Sequence, residues 1–373
     1  MKKLIGSLLM CAMLFTVPVF ATGTAQSAVT NPDGTKTVTV SLDTIESILT
    51  DYSPAMRKIV KDRDAAESTY RKLEDTMDDL QEAIADAPST TEGWTLAAQA
   101  SKQYESLENS YKQAKLARDT AKEQYRLNVS QQVNTVKQQY LGYSLDQSKL
   151  SNLNAQLTAQ RQTLTSAASL LERGYLSKKV YDSMVQTTES VADSLRAQQT
   201  VVDGGERSLR LSLGVPESVK LVYAEANLSQ FEFSQISGLD LDKDTQSMLQ
   251  GSVQLKNAKL TYESYRANDD VSEAQAESAK IAWEQAVKSE TERMKTLYQN
   301  LQDGYHTLLT TRTSVETQRA TLAAAETKYL HGYISTKTLT DLRNQTAVQE
   351  TSLKAQEIAL YSKLLSYQQM KAV

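Results

Sequence analysis

The groups that could do chemistry are few. The 373-residue chain holds two histidines, His306 and His331, and one cysteine, Cys11. The histidines are too far apart to share one helical face as an i, i+4 metal pair, and neither has a cysteine partner. Cys11 lies in an N-terminal apolar run, leaving the rest of the chain without a thiol nucleophile, a thiolate ligand or a disulfide. The carboxylate pairs Asp78-Asp79 and Asp269-Asp270 are sequence neighbours near or in turns, where solvation explains them. Gly204-Gly205 lacks the lysine and the preceding strand of a phosphate loop, and reads as a helix kink or a narrowing joint. No catalytic residue, metal or cofactor is expected, and the chain does not read as an enzyme.

What is left is the chemistry of surfaces. "LERGYLSKK" at 171–179 and "YLHGYISTK" at 329–337 are one motif written twice. In each, a glycine tolerates the positive φ of a helix reversal and a serine caps the returning helix. A plain hairpin turn accounts for those two residues. It does not need Tyr175-Leu176 or Tyr333-Ile334, an aromatic-aliphatic pair of the kind a docking surface uses. The candidate binding residues are therefore Arg173, Gly174, Tyr175, Leu176 and Ser177, with His331, Gly332, Tyr333, Ile334 and Ser335.

These turns must be held by long helices, and the helices repeat as well. At an offset of 158, Tyr140, Leu150, Leu157 and Leu164 fall on Tyr298, Leu308, Val315 and Leu322, with four-, three- and seven-residue spacings along both copies. These are the candidate seam residues of antiparallel coiled-coil hairpins in tandem duplication. Upstream, the segment at Ser53 matches that at Ser252 with an offset of 199, so the first copy carries 41 additional residues around "PSTTEG". Trp94 and Trp283 both follow the far turns, where packing is the expected role.

Composition frames the rest. Lys2 and Lys3, the apolar run from Leu4 to Phe20 and the small Ala21 read as a signal peptide over 1–21. A flexible leader, ending in a β-prone "TVTV", is expected over 22–40. A first helical repeat over 41–214, a mixed connecting segment over 215–243 with "VKLVYAE" as a short strand, and a second repeat over 244–373 follow. One helix is expected from Trp94 to Arg173. The expected fold class is all-α, with at most short strand pieces in the connecting segment. Formal charge is −4, or −6 without Lys2 and Lys3, which argues against nucleic acid and anionic membrane surfaces as partners.

The signal peptide, the capped "SLDTIESILTDYSP" helix, the two "GY[LI]S" turns and the "LGVP" that ends the first repeat together resemble the TolC family of outer-membrane efflux proteins. The resemblance covers nearly all of the chain beyond residue 21. It implies an exported component of the cell envelope, a homotrimeric helical tube, and turns that dock a membrane-fusion (periplasmic adaptor) protein serving an ABC-type or other inner-membrane transporter. Two departures stand out. Six positions after each turn glycine the family carries an acidic residue, whereas this chain has Val180 and Thr338. The family also inserts β-hairpins opposite the turns, and 88–93 and 267–271 are too short to supply strands of about nine to eleven residues. That absence keeps a rival reading open: a structural coiled-coil spacer or regulator of the envelope that transports nothing.

Overall fold

In a computed structural model, residues 28–30, 36–226, 228, 231–267 and 272–371 are described; the segment 1–21, expected to be a signal peptide, lies outside them. The order is β1 (Ala28–Thr30), β2 (Lys36–Val40), α1 (Ile45–Tyr52), α2 (Pro54–Ala85), α3 (Thr91–Glu172), α4 (Lys178–Leu213) and β3 (Lys220–Tyr223). A short 3-10 helix (Phe233–Gly238) follows, then α5 (Leu241–Gly251), α6 (Val253–Ala267), α7 (Glu273–Leu330) and α8 (Thr336–Lys371). The 82 residues of α3 make a rod of about 120 Å. It begins at Thr91, slightly before the tryptophan expected to open it, because Thr90 accepts a hydrogen bond from the Gly93 amide and serves as the cap.

The duplication is visible at the level of caps. Buried Ser53 and Ser252 each break a helix and cap the next, accepting from the amides of Met56 and Leu255. From the turns onward, α4 and α8 are both 36 residues long. On the opposite side the copies differ: α2 has 32 residues against 15 in α6, and α3 has 82 against 58 in α7. The first hairpin is longer by 17 residues on one arm and 24 on the other, together the 41 that separate the two offsets. It projects about 25 Å past the second. Five residues join the arms at each far end, 86–90 and 268–272. The only strands among the described residues are β1 to β3.

α3 packs on α2, α4 and α8, and α7 packs on α6 and α8. The turn-side half is therefore a row of four helices, α4–α3–α8–α7, with α4 and α7 at its edges. The α3–α8 seam joins the copies through polar contacts: Asn152 Nδ2 donates to Thr351 Oγ1 at 2.5 Å, and Lys354 Nζ to Ser148 Oγ at 2.8 Å. Two apolar cores sit above this row. One gathers Val38, Val40, Ile45, Leu49, Tyr140 and Leu213; the other gathers Phe233, Met248, Met294, Leu301, Leu360 and Tyr367; half-buried Tyr361 touches both.

One expectation needs correction. The leader expected to be flexible over 22–40 contains β1 and β2. In "KTVTV" every second residue is a valine; Val38 and Val40 point inward and are fully buried, and β2 pairs antiparallel to β1 and parallel to β3. The strands are thus not confined to the connecting segment. Gly204-Gly205 does not interrupt the chain, since α4 runs unbroken through both. Gly205 instead lets α4 approach Tyr143, whose ring would lie 3.3 Å from an added Cβ.

Candidate docking site at the paired turns

Each turn is a Schellman reversal built by one glycine. Gly174 and Gly332 have φ of 77° and 75°. The amides of Tyr175 and Gly174 donate to the carbonyls of Leu170 and Leu171 at 2.8 and 3.0 Å. Those of Tyr333 and Gly332 donate to Lys328 and Tyr329, both at 2.9 Å. Ser177 and Ser335 then cap the return helices by accepting from the amides of Val180 and Thr338. The equal lengths of α4 and α8 carry both turns to the same end of the molecule.

The side chains there face water. Tyr175 is 80 % exposed, Tyr333 79 % and Leu330 82 %, while Leu176 and Ile334 are half-buried beneath them. Nothing in the turn requires these apolar side chains to be out, and an exposed cluster at an extremity marks a contact surface. Arg173, Ser177, His331 and Ser335 are exposed too, and the His331 ring lies 6.1 Å from that of Tyr333. Sequence reasoning missed Leu330 and the half-exposed Leu170, which lie one position off the seam that steps by seven from Leu164 to Leu171 and from Leu322 to Tyr329, and which belong to neither the seam nor the four turn residues. Beyond Arg173 it also missed the cations: Lys178, Lys179 and Lys328 are exposed as Arg173 is, and none of the four makes an ion pair among the described residues, whereas Lys337 pairs with Asp341 at 2.5 Å.

The seam residues hold this end up. Tyr140, Leu157, Leu308 and Val315 are buried, and Leu150, Leu164, Tyr298 and Leu322 are half-buried along the hairpins. α7 and α8 carry a heptad ladder of ion pairs, Arg312–Glu357, Arg319–Glu350 and Glu326–Arg343, at 2.7 to 2.9 Å. His306 and His331 stay apart on α7 and its cap, and among the described residues no group of three or more His, Cys, Asp or Glu could hold a metal ion. Asp78 and Asp79 are exposed on α2, while Asp269 and Asp270 lie outside the described residues. The two tryptophans differ: Trp283 stacks on Tyr262 at 6.1 Å, but Trp94 is exposed at the end of the projecting hairpin.

Comparison with solved structures reads this architecture as a whole. The chain superposes on CusC with a TM-score of 0.58 and 14 % identity, over 88 % of this chain and 91 % of that one. The fold is that of the TolC-type outer-membrane channels. The CmeC outer membrane channel of Campylobacter jejuni gives a TM-score of 0.54 at 9 % identity, over 93 % of this chain and 90 % of that one. The MtrE outer membrane channel of Neisseria gonorrhoeae, in its open state, gives 0.53 at 12 % over 89 % and 88 %. No family model and no curated protein matches the sequence. This chain carries the TolC fold with five-residue connections at the end opposite the turns and no helix long and apolar enough to cross a membrane among the described residues.

Proposed function

We propose that this chain is the exported conduit component of an efflux system in the cell envelope. Three copies close a helical tube around water, and the six turns at one end dock a membrane-fusion adaptor. An ABC-type or other inner-membrane transporter then feeds small molecules or peptides into the lumen. The observation that carries this reading is the pair of equal arms that bring two matching, aromatic-tipped reversals to one end of a channel fold. Edge-to-edge closure is supported by the apolar side chains left exposed on the two edge helices, Val180, Val201 and Leu211 on α4 and Ile281 and Leu309 on α7. The tube is passive, and its action is to confine and conduct.

The experiment is co-purification of the tagged chain from its native envelope, with the bound proteins identified by mass spectrometry. The unaltered chain is expected to bring down an adaptor and a permease, and Tyr175→Asp with Tyr333→Asp to lose both while remaining folded. Retention by the double variant would remove the docking role from the turns. Absence of both proteins from the unaltered chain would favour the spacer reading, which the short far-end connections keep in view.

A further inference from the structure

The two ends of the rod carry opposite charge. Around the turns, 169–183 holds Arg173, Lys178 and Lys179 against Glu172 and Asp182, and 327–341 holds Lys328 and Lys337 against Asp341. Each has a net charge of +1 in a chain whose total is −4. The projecting far hairpin, 69–114, has nine acidic and four basic residues, a net of −5. The ends stand about 120 Å apart along α3, many Debye lengths at physiological salt. Each therefore presents its own sign to whatever approaches.

We infer that the partner surface received at the turns is acidic: a protein end whose Asp and Glu side chains ring an apolar cup for tyrosine. This rests on the docking role proposed above and adds the partner's chemistry. Four exposed cations without ion pairs among the described residues, Arg173, Lys178, Lys179 and Lys328, stand within a few positions of exposed Tyr175, Tyr333 and Leu330 and outnumber the two acids there that are likewise unpaired, Glu172 and Asp182. Cations left free at a rim steer an oppositely charged partner and repel a like one, while the desolvated aromatics set residence time. The acidic far hairpin repels that same partner, so charge selects which end of the rod is engaged.

The test uses the whole exported chain and two synthetic antiparallel helical hairpins, identical except that the loop-flanking residues are Glu in one and Lys in the other. At low salt the Glu hairpin is expected to bind at least about tenfold more tightly than the Lys hairpin, and to lose about tenfold by roughly 0.5 M salt. Lys178→Glu with Lys179→Glu is expected to slow its association. Tyr175→Ala with Tyr333→Ala should speed its dissociation and leave the salt slope alone. Equal binding of the two hairpins, preference for the Lys hairpin, or no binding of either overturns the inference. Binding indifferent to the tyrosines overturns it as mere bulk attraction. Two further outcomes assign the cations to another occupant and overturn it as well. One is binding to phosphatidylglycerol vesicles with none to the Glu hairpin. The other is salt-sensitive end-to-end association of the chain with itself, lost in the Lys178→Glu, Lys179→Glu variant. If adaptor co-purification survives any of these, docking stands and only its charge preference falls.

Discussion

Glycine shows how one residue type is held in place by different physics. Gly174, at φ 77°, has nothing within 4 Å of where a Cβ would sit, so only backbone strain opposes a side chain there. Gly214, at φ 72°, ends α4 against the α1–α2 junction; an added Cβ would lie 2.8 Å from the Tyr52 carbonyl oxygen and 2.9 Å from Ser53 Cα. In chemical denaturation, Gly174→Ala is expected to cost about 1 kcal/mol. Gly214→Ala should cost about 2–4 kcal/mol, strain and backbone overlap together. Equal losses would contradict this separation. The "LGVP" and "GY[LI]S" motifs made both glycines legible as helix ends. The close approach behind Gly214 was not, since it depends on Tyr52 and Ser53 far away in sequence.

Helices and strands are tied together by buried tyrosines. The Tyr140 hydroxyl donates to the Ala224 carbonyl at 2.6 Å, and the Ala224 amide donates to Val40, so α3, β2 and the end of β3 share one chain of bonds. Tyr367 donates to buried Asp244, which also pairs with Lys371 at 2.7 Å and ties α8 to α5. Burial, with Asp43 and Glu225 nearby, pushes the Tyr140 hydroxyl up to about 12; burial also raises Tyr223, Tyr367, Tyr143 and Tyr361. Tyrosines in the unfolded chain ionise near 10. Above that pH the native state therefore holds protons that the unfolded state releases, and stability falls as pH rises from about 10 through 12. The thermal midpoint is expected to drop across that window. Tyr140→Phe should lower it by about 1–2 kcal/mol of stability at neutral pH and flatten part of the alkaline slope; an unchanged slope would contradict the assignment. The helices, their duplication and the 41-residue difference could be read in the sequence because heptads and caps are local signals. The β1–β2–β3 sheet was only half legible: "TVTV" and "VKLVY" are strand-like, but their pairing joins segments separated by the whole first repeat.

At the scale of the molecule, net charge misled where position informs. A total of −4 argues for a uniformly acidic particle, yet the rod is basic at its turns and most acidic at its projecting hairpin. The turns themselves were readable because glycine, aromatic and serine recur at one offset. Their exposure, and that of Leu330, needed the reversal in space. The unequal far ends give the molecule a direction, with level turns at one extremity and a single hairpin standing about 25 Å proud at the other. The row α4–α3–α8–α7 is complete within a protomer except at its two edges, and a closed ring is the arrangement that satisfies both edges with one kind of contact. Sedimentation of the chain without residues 1–21 over a micromolar concentration series tests this most directly. The account predicts a discrete species of about three protomer masses that stays the limiting form as concentration rises. A single protomer throughout, or an open-ended series of ever larger polymers, would contradict it.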